Sequence, residues 1–397
     1  MRTVIVTDGN ERSSLAVVRS LGAAGFRCVV VSNSVKSLAA SSRFCAAAYA
    51  VPSPLDSPAA FATALEAIAR NERAALLLPI SEASLLAVLP VRARFGNCII
   101  PFAEESAFRA ISDKQRVLAE ARGLGMPTPA QIVLSDKRSV ATTSVDAVQY
   151  PVVAKPSRSV GESEGVRQKW GVHYAGDEAQ LRALLASFSD AAFPVLLQQR
   201  IEGPGTGVFL LVWDDDVVAA FAHRRITEKP PSGGVSVDRE SIPLDARLLE
   251  QSRALLSRFH WRGVAMVEFK EDERTSTPYL MEINGRFWGS LQLAIDSGVD
   301  FPALLASRAL GDSPPRIAPY RTRMRSWWFW GQIDHLVSRM PRPGRRRAAL
   351  PAGTIPVSRA IADVVLAPFR RNTHEEIFRW NDPRPFLYET LQWVRGR

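Results

Sequence analysis

This 397-residue chain is short of lysine, almost free of cysteine and without any apolar run long enough to span a bilayer. The three cysteines, Cys28, Cys45 and Cys98, are scattered and odd in number. They read as core or incidental residues, not as a disulfide frame or a metal cluster, and they fit a reducing cytoplasm. The N-terminus, Met1-Arg2-Thr3-Val4-Ile5-Val6, enters an expected strand directly, with no secretory or transit pattern. No GxGxxG lies between Gly9 and Gly25, so a dinucleotide site is a poor reading, and no internal repeat is visible. The expectation is a cytoplasmic protein of two or three domains with sizeable cores.

What is present is unevenly placed. The net charge is +10, and only 7 of the 50 basic residues are lysine. Residues 321–397 hold 15 Arg, no Lys and 6 Asp plus Glu, so nearly all of the surplus sits in the last fifth of the chain. Five of the nine tryptophans are there too: Trp327, Trp328, Trp330, Trp380 and Trp393.

Over roughly the first hundred residues, apolar runs alternate with helical periodicity. Strands are expected at 3–7, 28–31, 75–79 and 98–100, and helices at 13–24, 61–71 and 82–95. Such alternation implies a doubly wound parallel sheet. Asp113 can cap a helix running to Arg122. Further strands are expected at 131–134, 151–156 and 195–199, a helix at 180–188, a hairpin of 208–212 with 217–223 over Asp214-Asp215-Asp216, and a helix at 244–260. Pro314-Pro315 marks the last boundary, before the Arg- and Trp-rich region.

The pair of runs Val264-Ala265-Met266-Val267-Glu268-Phe269 and Tyr279-Leu280-Met281-Glu282-Ile283-Asn284-Gly285-Arg286 carries acids where a buried strand should carry hydrophobes. Glu282 and Asn284 are two apart and share a strand face. A hairpin with Lys270 opposite Leu280 sets Glu268 opposite Glu282. Two close carboxylates repel unless a proton or cation sits between them. Oxygen ligands of this kind suit a hard ion such as Mg²⁺, which also takes phosphate oxygens from a substrate. Arg286 can face a phosphate bidentately. An exposed acidic strand face is the plainer alternative, and the apolar flanks weigh against it.

Other candidates keep two readings each. Lys155 and Lys114 can reach phosphate as point charges, or be ordinary surface lysines. Ser157-Arg158-Ser159 with Gly161 and Gly165 can close over phosphates through backbone N–H groups, or be a hairpin tip. Gln198-Gln199-Arg200-Ile201-Glu202 can hold adenine and ribose, or simply end a strand. Arg224 or Arg225 can neutralise a carboxylate or a γ-phosphate, or be solvated. Asp8, Asn10 and Glu11 sit at the carboxyl end of the first strand, where open sheets bind ligands, or cap the next helix.

Taken in order, Lys114, Lys155, Gln198 to Glu202, Arg224/Arg225, Glu268 and Glu282-x-Asn284-x-Arg286 resemble the ATP-grasp superfamily, in particular its carbamoyl-phosphate-synthase-like and biotin-carboxylase-like ligases. The resemblance covers roughly residues 1–310, and the segment Glu282 to Ser290 is its most specific part. It departs at Gly285, where many members have Pro, and at Gln198-Gln199, where relatives often carry Glu. It implies a pre-ATP-grasp domain over 1–105. An ATP-grasp domain over 106–315 follows, made of two α+β subdomains, a small lid-like one at about 135–200 and a catalytic one at about 201–315. A basic, Trp-rich region over 316–397 completes the chain.

It also implies ATP, with Lys114 and Lys155 on its phosphates and Gln198, Gln199, Ile201 and Glu202 at the adenine hinge. Mg²⁺, or Mn²⁺, falls to Glu268, Glu282 and Asn284, and the transferred phosphoryl group to Arg286 with Arg225 or Arg224.

The expected activity is then an ADP-forming carboxylate–amine ligase acting through an acyl phosphate, with small-molecule substrates and a homodimer as a plausible assembly. One ATP-grasp copy argues against a complete carbamoyl-phosphate synthase; a bicarbonate-dependent enzyme and a non-catalytic ATP-binding adaptor are the rivals. The tail admits three readings: peripheral contact with the inner face of a membrane through 321–397, a basic amphipathic helix over 357–371, or packing of its aromatics on the catalytic body; nucleic-acid binding would rest on charge alone, for no recognised module is present.

Overall fold

The computed structural model describes residues 1–142, 148–163, 166–231, 233–313, 318–340 and 356–396. The first sheet has the strand order Cys45–Ala50, Arg27–Ser32, Thr3–Val6, Ala74–Leu78, all parallel. Its central strands are continuous apolar runs because helices cover both faces. The helix Arg12–Ala23 and the helix Pro58–Asn71 bury Leu15, Val18, Phe61 and Leu65 against it. Each such side chain contributes about 1.5–3 kcal/mol. Cys28 and Cys98 belong to this core, and burial pushes both thiols up to about 12, which suits the core reading of these cysteines.

Three local expectations change. The strand expected at 98–100 is a single bridge, Leu76 to Ile99. The helix expected at 82–95 stops at Val88 and continues as a 3₁₀ segment, Leu89–Phe95, because Pro90 has no N–H to donate. Cys45–Ala50 is an edge strand of small residues, too poor in aliphatic side chains to show as a strand in the sequence.

Asp113 caps the helix Lys114–Gly123 by accepting from the Arg116 N–H. A small antiparallel sheet follows, ordered Gln131–Leu134, Val195–Gln199, Val152–Pro156, His173–Ala175, with its own core around Leu181, Leu185 and Phe188. The largest sheet has seven strands: Pro278–Asn284, Gly263–Glu271, Gly205–Trp213, Asp216–Lys229, Val235–Ser241, Arg325–Trp327 and Thr373–Glu375. The last two come from the Trp-rich region. Arg325–Trp327 pairs antiparallel with Val235–Ser241, so the region from Arg325 completes the sheet that carries the acid-bearing pair. The basic helix expected at 357–371 is a helix over Val357–Leu366 and a short 3₁₀ turn. Pro314-Pro315 and Gly165 lie outside the described residues.

Candidate active site

Glu268 lies opposite Glu282, and Met266 opposite Asn284. The register beyond them differs from the expected one: Lys270 faces Tyr279, and Phe269 faces Leu280. Met281 is the extra residue of a bulge that absorbs the shift, a device that re-aims side chains near a site. Its carbonyl accepts from Lys155 Nζ at 3.4 Å.

The polar face is tightly wired. Asn284 Nδ2 donates to Glu282 Oε1 at 3.0 Å, and Arg286 Nη2 donates to Asn284 Oδ1 at 3.1 Å. Lys114 Nζ lies 3.5 Å from Glu282 Oε2 and donates to Ser159 Oγ at 2.9 Å. Arg225 Nη2 donates to Glu268 Oε2 at 2.6 Å, and Nη1 to Glu228 at 3.0 Å. Gly285 lies where a Cβ would fall 2.3 Å from Ile111 and 2.5 Å from Trp261, so the backbone presses on the core just before Arg286.

The two carboxylates do not share their environment equally. Burial raises Glu268, Glu282 and Glu228 push the same way, and Arg225 opposes them. Burial would raise Glu282 too, but Lys114, Lys155, the Asn284 amide and Arg286 outweigh it and bring it down to about 2. Burial lowers Lys155 to about 8 against the pull of Glu282 and Glu268. Burial would lower Arg225, yet Glu268 and Glu228 push it up. Two facing carboxylates and an amide oxygen form a hard-oxygen donor set that fits Mg²⁺. The fit is partial: among the described residues no group of three His, Cys, Asp or Glu gathers for a metal, so phosphate or water must complete the shell.

These residues open onto a cavity of about 590 Å³. The small sheet and its connection line it with Val153, Val172, Tyr174, Gln199, Arg200 and Ile201. The large sheet adds Lys155's neighbours Met281 and Glu282, with Met266, Glu268 and Asn284. Val153 is two before Lys155 and shares its strand face, a spacing signal that sequence reading passed over, whereas Met281 sits at the bulge, where alternation gives no guide. His223 and Trp288 also line the cavity, and neither ring's nitrogens have a protein partner. Burial, with Arg225 and Arg239, holds His223 well below its ordinary pKa, so the ring is neutral. Buried polar atoms are nearly always paired, so these unpaired groups mark a surface for a polar ligand.

Some expected residues lie off this lining. Arg224 alternates to the other face, is exposed and sits 3.5 Å from Glu240, so it leaves the set while Arg225 stays. Glu202 is exposed, 3.8 Å from Arg200. Gln198 is buried behind the wall, donating to Gln131 at 2.8 Å, with its own Oε1 unpartnered. Lys114 is buried beside Glu282 without lining the cavity. Ser157 accepts from the Gln115 N–H and donates to Asp113 at 2.5 Å, so it anchors the helix start.

Asp8, Asn10 and Glu11 line a second cavity of about 400 Å³. Asp8 caps no helix of its own: it accepts from the Ser81 N–H at 3.0 Å, Ser81 Oγ at 2.9 Å and Ser84 Oγ at 2.9 Å. Glu82, Arg12, His223 and Trp288 are the site residues that sequence reasoning did not single out. Glu82 alone carried a readable signal, the end of a parallel strand.

A parallel first domain, a small antiparallel lid and a large antiparallel sheet bearing a Glu/Glu/Asn shelf together define the ATP-grasp fold. Residues 192–329 match the family described as ATP-grasp in the biosynthetic pathway with Ter operon. L-amino acid ligase from Bacillus licheniformis is similar at a TM-score of 0.63 and 16% identity, over 80% of this chain and 78% of that one. N5-carboxyaminoimidazole synthetase from Staphylococcus aureus, complexed with ADP, gives 0.62 and 15% over 82% and 80%. The biotin carboxylase domain of Hydrogenobacter thermophilus 2-oxoglutarate carboxylase, with MgADP and bicarbonate, gives 0.61 and 15% over 81% and 73%. At these identities the likeness establishes the fold. Comparison with curated proteins gives no match.

Proposed function

We propose that the protein is an ATP-dependent, ADP-forming ligase that joins a carboxylate to an amine through an acyl phosphate. The observation that carries this reading is the half-buried shelf of Glu268, Glu282 and Asn284, bracketed by Lys114, Lys155, Arg225 and Arg286. The same fold in a protein named an L-amino acid ligase, and in others crystallised with ADP or MgADP, supports it.

The apolar wall of Val153, Ile201, Met266 and Met281 suits a purine base, and the Gln199–Arg200 backbone suits its edge. Lys114 and Lys155 neutralise phosphate charge. Glu268, Glu282 and Asn284 would hold Mg²⁺, which when bound offsets the charge of the phosphates; Mn²⁺ suits the same ligands. Arg286 and Arg225 face the transferred group. The unpartnered Trp288 N–H and neutral His223, beside Arg12, suit the carboxylate to be activated.

An ADP-release screen of carboxylate pools, bicarbonate included, with hydroxylamine as a universal amine tests this. At least one pool is expected to give ADP and a hydroxamate in equal amounts. Nucleotide binding without hydroxamate from any pool would reduce the protein to an adaptor.

A second proposal concerns the C-terminal region. Val357, Ile361 and Val365 form an exposed stripe on the helix Val357–Leu366, while Phe369 is 82% and Trp380 91% exposed. The sequence of residues 321–397 carries 15 Arg against 6 acids, and an apolar stripe within so basic a stretch of chain suits an anionic lipid bilayer. No described helix is long and apolar enough to cross a membrane. Full-length protein is expected to float with phosphatidylserine vesicles and not with neutral ones. Equal behaviour on both removes the proposal.

A further inference from the structure

In the first sheet the chain leaves strand Thr3–Val6 toward one edge, through Arg27–Ser32 and Cys45–Ala50, and returns on the other side with Ala74–Leu78. The carboxyl ends of Thr3–Val6 and Ala74–Leu78 therefore flank a topological switch point, where open parallel sheets hold ligands. Asp8 follows one of these strands and Glu82 the other. The second cavity lies here, and its opposite wall is Glu282, Asn284 and Arg286. The two cavities thus share the shelf from both sides.

The groups on the first-domain wall differ in what they have to spare. Asp8 is fully engaged by Ser81, Ser84 and the Ile80 N–H. Asn10 accepts from the Leu38 N–H at 3.2 Å. Glu82 is different: its Oε1 is buried and has no hydrogen-bond partner, and no ion pair to it is formed among the described residues. Lys114 and Arg286 are spent on Ser159, Glu282, Asn284 and the Phe287 carbonyl, and Lys169, which lines the same cavity, is exposed and forms no ion pair with Glu82. An unpaired buried carboxylate oxygen is costly, and the cavity beside it has room for the group that would satisfy it.

We infer that the second cavity is the subsite for an amine-bearing substrate whose ammonium is held by Glu82. The inference rests on the ligase reading for the fate of that amine, not for its binding. The chemical class is a small primary amine with polar substituents, such as an amino acid or its amide. Glu82 supplies the charge, and Ser53 and Asn33 line the same cavity with neutral polar groups. A carboxylate activated in the first cavity meets this amine across Asn284 and Arg286, which belong to both walls: the ammonium gives one proton to the Glu82 carboxylate, its freed lone pair forms the C–N bond, the C–O bond to phosphate breaks, and inorganic phosphate leaves with the electron pair and the second N–H proton.

Binding without ATP tests the assignment apart from turnover. Full-length protein is titrated with L-amino acid amides and with their N-acetylated counterparts by calorimetry. At least one free amide is expected to bind, its N-acetylated form is not, and Glu82→Gln weakens the binding by about tenfold or more. MgATP affinity in that variant stays within about twofold, as a group outside the nucleotide cavity requires. Ser53→Phe, which fills the cavity with Glu82 intact, gives the same loss and decides the matter if Glu82→Gln melts early. Absence of binding by every free amide, or equal binding by wild type and both variants, overturns the subsite. Failure of the hydroxamate screen with amide binding intact strikes the ligase reading alone.

Discussion

Glu282→Ala is expected to lower carboxylate-dependent ADP release by about a thousandfold, the scale of losing one preorganised electrostatic group at a reacting centre. Glu282 is the hub of the shelf: Asn284 donates to it, Lys114 lies 3.5 Å away and Glu268 stands opposite. Its loss frees two lysines of their counter-ion but also ends the repulsion with Glu268. The cations win, since they hold Glu282 down to about 2, so the variant is expected to melt earlier at neutral pH and its turnover is measured where it is folded. Arg224→Ala is the internal control, because its side chain is on the far face with Glu240; its turnover stays within about twofold of wild type. Turnover retained in Glu282→Ala would remove this residue from the metal set.

That shelf is legible in the sequence because period-two geometry ties Glu282 to Asn284 whatever else the chain does. The Glu268–Glu282 pairing was legible only in part. A uniform register leads to it, but the structure reaches it through the Met281 bulge, and a bulge leaves no composition signal. Arg224 and Arg225 could not be separated from sequence, since alternation says that one faces in without saying which. Val235–Ser241 was hidden behind a Pro/Gly loop, and Leu291–Ser297 is too short to show a period. Arg12 was out of reach altogether, because its place depends on residues more than 300 positions away.

The same long-range geometry explains the C-terminal region, and Glu376→Ala is the variant that exposes it. Glu376 is buried and pairs with both Arg12 and Arg239, the latter without any exposed surface. Burial lowers the pKa of Arg239, and the charge of Glu376 opposes that shift, so the acid is what keeps this guanidinium tolerable inside the protein. Arg12 also lies over the Trp328 ring at 4.1 Å, and a Cβ on Gly289 would fall 3.1 Å from its Nη2. One acid just after the last strand therefore ties the first helix and the large sheet together, and aims Arg12 into the first cavity. Removing it leaves one fully buried guanidinium, that of Arg239, and one half-buried one, that of Arg12, without this carboxylate, a loss of about 3–5 kcal/mol. Asp382→Ala, which frees Arg19 from a 2.8 Å bond far from the cavity, is expected to cost a similar amount. The two variants part in activity measured where both are folded: Glu376→Ala loses carboxylate-dependent turnover by about tenfold or more as Arg12 leaves its place, whereas Asp382→Ala keeps it. Urea unfolding supplies the first comparison and ADP release the second. A Glu376→Ala protein within about 1 kcal/mol of wild type would show that the clasp carries no weight, since a buried charge left unpaired cannot be that cheap.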